Sequence, residues 1–391
     1  MMQPRPYDGV AVAIPTSLGY ARSSRRSIPW FLGRLLAELL AHSRIPKAEI
    51  DGIALASYGL HPDNAASLSE HLGLAPRFLV DLPYGGASGV IALRRAARAV
   101  QAGDADLVAC LAADNLGGGQ FQGLVANFSS FSRDHVYPYG AAGPNGVFAL
   151  ITDRYMTAHG VTRADFGRLC VAQRANAAAN PLALLRRPLT LEAYLTARPI
   201  APPLGLLDCV MPCCGAEGFL VMTEDRARAL ALPYATVAGA IERHNAWHDD
   251  PVQRSSGWSL ERDSLYAQAS CAPTDIDCLE LYDDYPVVVA MQLEDLGFAA
   301  EGDGARLAAR HDLTCGGDLP LNTSGGQLST GQAGAAGGFL GVVEVVRQVT
   351  RQPLGAPVPD AQRALVAGYG TVTYDRGLCS AAAILRQGRA A

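Results

Sequence analysis

Charge is scarce in this chain. Only 18% of its 391 residues are Asp, Glu, Lys or Arg, against 49% hydrophobic. That balance suits a globular protein with much buried surface, room for two domains and an oligomer interface. No Lys/Arg cluster is read in the sequence and the net charge is -5, which argues against a nucleic-acid partner. Arg94, Arg95 and Arg98 share one helix face and read as a solvated stripe. No C-x-x-C pair occurs among the nine cysteines, so neither a zinc ribbon nor a disulfide framework is indicated, and the odd number fits a reducing cytoplasm. No apolar run reaches the ~18–20 residues of a membrane helix. The opening MMQPRPYDGVAVAI lacks the basic start and long apolar core of a signal peptide. The GGG of Gly117 to Gly119 lacks the context of a nucleotide fingerprint. His244 and His248, with Asp249 and Asp250, have an H-x-x-x-H spacing but read as a solvated loop. No metal and no cofactor are expected.

Glycine, by contrast, is plentiful. The stretch NTSGGQLSTGQAGAAGGFLGVVEVVRQ, Asn322 to Gln348, is a polar glycine turn running into a helix with Phe339, Val342, Val343 and Val346 on one side. A turn before a helix leaves backbone N–H groups free to meet an anion or a developing oxyanion. Composition alone favours the plainer reading, a buried helix packed closely on another through its glycines.

The rest of the chain repeats an order of elements. AEIDGIALASYG (48–59) parallels TDIDCLELYDDY (274–285). PYGGASGVIALRRAARAV (83–100) parallels the Asn322 stretch, and ADLVACLAAD (105–114) parallels RALVAGYGTV (363–372). Each half reads strand, helix, glycine turn, helix, strand, which predicts an α/β protein of two pseudo-symmetric halves with the turns facing one cleft. The expected division is 1–232 and 233–391. The first half carries an aperiodic excursion loop at about 115–145 and a proline-bounded connector at 180–205.

The segments GGASGVIALRRAARAVQAGDADLVACLAAD, DRYMTAHGVTRADFG, LLDCVMPCCGAEGFLVM, ELYDDYPVVVAMQLEDLGF and NTSGGQLSTGQ together resemble the thiolase superfamily, in its sterol-carrier/lipid-transfer-like branch. The resemblance runs nearly end to end. It implies the thiolase fold, two like halves in five layers αβαβα, a homodimer, and an acyl-CoA thioester as substrate.

Set against the family motifs, the chain departs where the chemistry sits. The nucleophilic Cys of C-x-S-G falls on Gly86, which cannot form an acyl-enzyme. The His of the family's second glycine loop falls on Gln332, which can donate a hydrogen bond but is no base at neutral pH. The late acid/base Cys falls near Tyr369 or Gly370. One subgroup also lacks the Cys: the thiolase-like steroid side-chain aldolases, which pair with an OB-fold/zinc-ribbon protein of the DUF35 type as a heterotetramer and carry Y-D-x-F-T-P. Here YDDYP spans Tyr282 to Pro286. Tyr282 is the expected base, and helix dipoles or donors would have to lower its pKa. Gln332, Tyr369 and Tyr285 are the expected partners, with Gly86, Gly370 and Gly326 offering backbone N–H groups to an oxyanion. Asp283, Asn322, Ser324 and His135 are expected on the substrate side, His135 equally at a dimer interface.

Three readings follow. The first is a retro-aldol (or aldol) C–C lyase on a β-hydroxyacyl-CoA. The second is an acyltransferase or condensing enzyme with another nucleophile, Cys213 or Cys214. The third is a non-catalytic subunit of a complex with a DUF35-type protein.

Overall fold

Short apolar runs flanked by glycine turns become strands here, and the glycine turns start the helices that pack between them. The computed structural model describes residues 6–117, 119–126, 129–140 and 143–388. Among the described residues, eleven strands follow in chain order: β1 (Val10–Ala21), β2 (Gly52–Ala56), β3 (Phe78–Asp81), β4 (Leu107–Asn115), β5 (Pro199–Ala201), β6 (Leu204–Gly205), β7 (Cys214–Thr223), β8 (Tyr234–His244), β9 (Cys278–Leu281), β10 (Arg363–Thr373) and β11 (Arg376–Gln387). β5 and β6 form a small hairpin, and the other nine form one sheet in the order β3-β2-β4-β7-β1-β8-β11-β10-β9.

That order is a palindrome about the β1–β8 junction. Outward from it, β7, β4 and β2 in one half match β11, β10 and β9 in the other, antiparallel near the junction and parallel at the edge. β3 has its counterpart in an isolated parallel bridge from Leu279 to Leu321. Inner faces of both halves pack on two central helices, Ser88–Ala102 and Gly337–Val349. Those helices touch through glycine: a Cβ at Gly89 would fall 2.0 Å from the Gly338 carbonyl oxygen, so no larger residue fits without moving backbone. Helix Ile28–Ser43 covers the outer face of the first half and Gly257–Ala269 that of the second. The result is five layers, helix, strand, helix, strand, helix, with one apolar core around the central helices and one under each outer layer.

Some expectations change. β1 runs to Ala21 rather than ending near Ile14, passing through register shifts on the way. The aperiodic stretch after Leu116 contains two short helices, Gln120–Ala126 and Ser130–His135. Gly118, residues 127–128 and 141–142 of that loop, and residues 1–5 of the chain's start, lie outside the described residues. The Arg94/Arg95/Arg98 stripe is not simply solvated. Arg94 and Arg95 both pair with Glu242 on β8, at 3.0 and 2.9 Å, and Arg98 lies over the Tyr7 ring.

Candidate active site

The repeat places the C-terminal ends of β2 and β9 at one cleft, beside the two glycine turns. The wall of a pocket of about 50 Å³ is made by Tyr58 after β2, Gly86 at the first turn, Tyr282, Asp284 and Tyr285 after β9, Gln332 at the second turn, and Gly370 and Thr371 on β10. Phe121, Leu124 and Val125 from the Gln120–Ala126 helix complete it on the apolar side.

Three side chains meet in this pocket. The Gln332 amide donates from Nε2 to Asp284 Oδ1 at 2.5 Å and to Tyr282 Oη at 3.3 Å. The Tyr282 hydroxyl and the Asp284 carboxyl thus meet at one amide and lie close enough to shift each other's proton affinity. Backbone holds Gln332 and Tyr282. Gln332 N donates to Met211 O and its carbonyl accepts from Cys213 N, at 2.9 and 3.0 Å. Tyr282 N bonds Ala367 O and Gln292 Oε1. Pro286 at the first helical position turns the chain straight into helix Pro286–Asp295. Burial pushes the Asp284 carboxyl up to about 7, with Asp283 adding to the rise and the bonds from Tyr282 and Gln332 opposing it. The Tyr282 phenol moves the other way from the sequence-based expectation: burial, then the charge of Asp284, push it well above its ordinary 10. Tyr282 is therefore protonated at neutral pH, and Asp284 is the group beside it that can hold or release a proton there.

The remaining predicted residues separate. Asp283, next to Asp284, turns away from the pocket and accepts from Gln327 N at 2.8 Å and Leu328 N at 3.2 Å, capping the short helix Gly326–Thr330. Asn322 Oδ1 accepts from Leu281 N, and Ser324 Oγ accepts from Gly326 N. The Gly326 N–H is thus engaged, and these four residues shape the second turn. Tyr369 contributes backbone to the pocket, but its ring lies in the outer core against Trp258 and its hydroxyl donates to Gln253 at 2.5 Å. Tyr285 stacks on Phe148 and donates to Asn145. His135 is not in the wall of the pocket and faces Tyr374 at a ring distance of 6.3 Å. Gly86 and Gly370 do meet: a Cβ at Gly370 would fall 2.7 Å from Gly86 N. Cys213 and Cys214 are both fully buried, and burial raises both thiols. His244 bonds Cys379 and Glu242, whereas His248 sits by Asp249.

Asp284, Tyr58 and Asp114 were missed from sequence. Asp114 at the end of β4 accepts from Ser57 Oγ, Tyr58 N, Gly59 N and Ala335 N, tying the first half to the second glycine turn. The internal repeat carried a signal, since Ser57–Tyr58 in the first half falls opposite Asp283–Asp284 in the second.

A family model described as Thiolase C-terminal domain-like matches residues 239–385. A steroid side-chain-cleaving aldolase of Thermomonospora curvata is 31% identical over 90% of this chain and 93% of its own. The chain belongs to the thiolase superfamily. A 17-hydroxy-3-oxo-4-pregnene-20-carboxyl-CoA lyase of Mycobacterium tuberculosis is 30% identical over 90% of this chain and 95% of that one. Among solved structures, the Ltp2-ChsH2(DUF35) aldolase superposes with a TM-score of 0.84 at 29% identity, covering 98% of this chain and 99% of that chain.

For a thiolase-superfamily member, the position of Gly86 is the telling one. A Cβ there would fall 2.0 Å from Tyr282 Cε2 and 2.1 Å from its Cζ. The Tyr282 ring occupies the volume that a side chain at position 86 would need. The Tyr369 carbonyl oxygen would lie 2.4 Å from the same Cβ, so the Tyr282 ring and the β10 backbone together require glycine at 86.

Proposed function

We propose that this protein is a C–C lyase that cleaves a β-hydroxyacyl-CoA into a carbonyl compound and a shorter acyl-CoA. The observation that carries the reading is the Tyr282 ring filling the place of a nucleophile while its hydroxyl and the Asp284 carboxyl share the Gln332 amide. The activities named for the Thermomonospora and Mycobacterium relatives point the same way.

The substrate's β-hydroxyl would meet Tyr282 Oη. As that hydroxyl gives its proton to the tyrosine oxygen, the phenol proton passes to the Asp284 carboxylate, so no free phenolate forms. The Cα–Cβ bond breaks, the Cβ oxygen becomes the carbonyl, and the electron pair moves into the thioester as an enolate. Backbone N–H groups at Gly86 and Gly370 would face the enolate oxygen; in other enzymes one such donor is worth ~2.7–4 kcal/mol. Protonation at Cα by the proton held on Asp284, returned through Tyr282, gives the acyl-CoA. Reactant and products balance without free CoA, so no acyl-enzyme is required.

A second reading, acyl transfer through Cys213 or Cys214, has little support, because both thiols are buried outside the pocket wall. We further propose a homodimer that works with a DUF35-type OB-fold partner, a reading supported by the likeness to the Ltp2-ChsH2(DUF35) aldolase. A reducing cytoplasm would suit its nine free thiols. No helix among the described residues is long and apolar enough to cross a membrane.

The test is product analysis by liquid chromatography–mass spectrometry with β-hydroxyacyl- and β-ketoacyl-CoA esters, with and without the DUF35-type protein. Short acyl-CoA released from a β-hydroxy ester without consumption of CoA is expected. Cleavage confined to β-keto esters and dependent on free CoA would overturn the lyase reading.

A further inference from the structure

Beside the reaction pocket lies a second, open groove of about 540 Å³. The two share the side chains of Leu116 and Leu124, and Gly59 in the groove adjoins Tyr58 in the pocket. Its far wall is Ser24 to Ile28, part of the stretch ARSSRRSIPW between β1 and helix Ile28–Ser43, with Arg22 and Trp30 flanking the wall on either side. Three arginines in five residues stand here, a local basic cluster that the scarcity of charge elsewhere had hidden. Arg22, Arg25 and Arg26 are exposed, and no carboxylate lies within ion-pair distance of them among the described residues. In a chain of net charge -5, this places three exposed guanidinium groups without carboxylate partners within five residues.

The turn is built rather than loose. The buried Asn115 side chain donates to the carbonyls of Ser24 and Arg26, at 3.0 and 3.2 Å. Gly117 lets the Arg22 carbonyl close down, since a Cβ there would fall 2.3 Å from that oxygen. Arg26 lies over the ring of Trp30, 4.9 Å from the centroid, and Trp30 is 40% exposed. Guanidinium groups without carboxylate partners bind phosphate oxygens strongly, and an exposed indole next to them offers a face to a flat heterocycle.

We propose that this turn binds the 3′-phospho-ADP end of the acyl-CoA, with Arg25 and Arg26, aided by Arg22, on the phosphates and Trp30 against the adenine. The thioester then enters the pocket past Leu116 and Leu124. This rests on the reading that the substrate is a CoA thioester, and it names which residues hold the CoA.

The experiment is calorimetric titration of the full chain with CoA and with dephospho-CoA, alongside turnover of the same acyl group carried on N-acetylcysteamine. Arg25→Ala/Arg26→Ala is expected to weaken CoA binding about tenfold per arginine and to narrow the gap between CoA and dephospho-CoA. It is expected to leave turnover of the N-acetylcysteamine thioester and the melting temperature unchanged. Trp30→Ala is expected to weaken both nucleotides alike. Wild-type affinity for CoA in the double variant would overturn the proposal. So would a short single-stranded oligonucleotide that binds more tightly than CoA and is lost with the same arginines. Because binding is read without turnover, CoA bound through these arginines in a protein that cleaves no ester would sink the lyase reading alone.

Discussion

The strands β2 and β9 are counterparts in the two halves and point their C-terminal ends at one cleft, yet the polar groups there are used in opposite ways. At the β2 end, Asp114 is saturated by backbone and hydroxyl donors from Ser57, Tyr58, Gly59 and Ala335. At the β9 end, two adjacent aspartates divide the work. Asp283 accepts from two backbone N–H groups and holds the second turn. Among the described residues, the bond Asp284 accepts comes from a side chain, the Gln332 amide, with the Tyr282 hydroxyl beside it. A carboxylate bound by backbone donors is scaffold. One beside a hydroxyl in a pocket can exchange a proton. Burial raises all three, to about 6 for Asp114 and Asp283 and about 7 for Asp284, so the direction of the shift does not tell them apart and the identity of the donors does.

The largest effect is expected from Tyr282→Phe, which keeps the ring that fills the cleft but removes the hydroxyl. Lyase turnover should fall about 10³-fold with little change in melting temperature. Gly86→Cys should cost a comparable factor, because the new side chain must displace the Tyr282 ring. It should not yield acyl-enzyme on incubation with acyl-CoA, which intact-mass spectrometry would show.

Next comes the contrast between the neighbouring aspartates. Asp284→Asn should lower turnover about 10²-fold while making the protein more stable at pH 8. Its folded pKa lies above the unfolded value, so the stability it contributes is present below about pH 4 and is lost as pH rises through about 7. Removing the charge should return on the order of 1–3 kcal/mol at pH 8 and nothing at pH 4, read by denaturant unfolding at the two pH values. Asp283→Ala should do the reverse, destabilising by roughly 1–3 kcal/mol through two buried N–H groups left without an acceptor. Smallest is Gln332→Ala, about tenfold in turnover. It should also move the pH midpoint of activity upward, because the amide that favours the carboxylate is gone.

Much of this was legible in the sequence. The repeat of strand, glycine turn and helix predicts two pseudo-symmetric halves with both turns at one cleft, though not the order of strands in the sheet. Gly86, Tyr282 and Gln332 meet as the motif spacing implies. What escaped was direction at the exits of strands. Asp283 and Asp284 follow the last residue of β9, and which of them faces the pocket depends on how the chain bends into Pro286, a turn without periodicity. Tyr369 was legible and misread. On a strand, alternate residues face opposite ways, so Gly368 and Gly370, which back onto the Gly86 turn, send the Tyr369 ring to the outer core. Asp114 escaped because its four donors come from segments that are distant in the chain.

The central claim is that Asp284, acting through Tyr282, is the proton acceptor in C–C cleavage. Its most direct test is the pH dependence of single-turnover cleavage of a β-hydroxyacyl-CoA by the wild type and by Asp284→Asn. The account predicts a wild-type rate that rises with pH through a midpoint near 7 and a flat, slow profile for the variant over the same range. The same rising limb in Asp284→Asn would contradict it and assign the ionisation to another group.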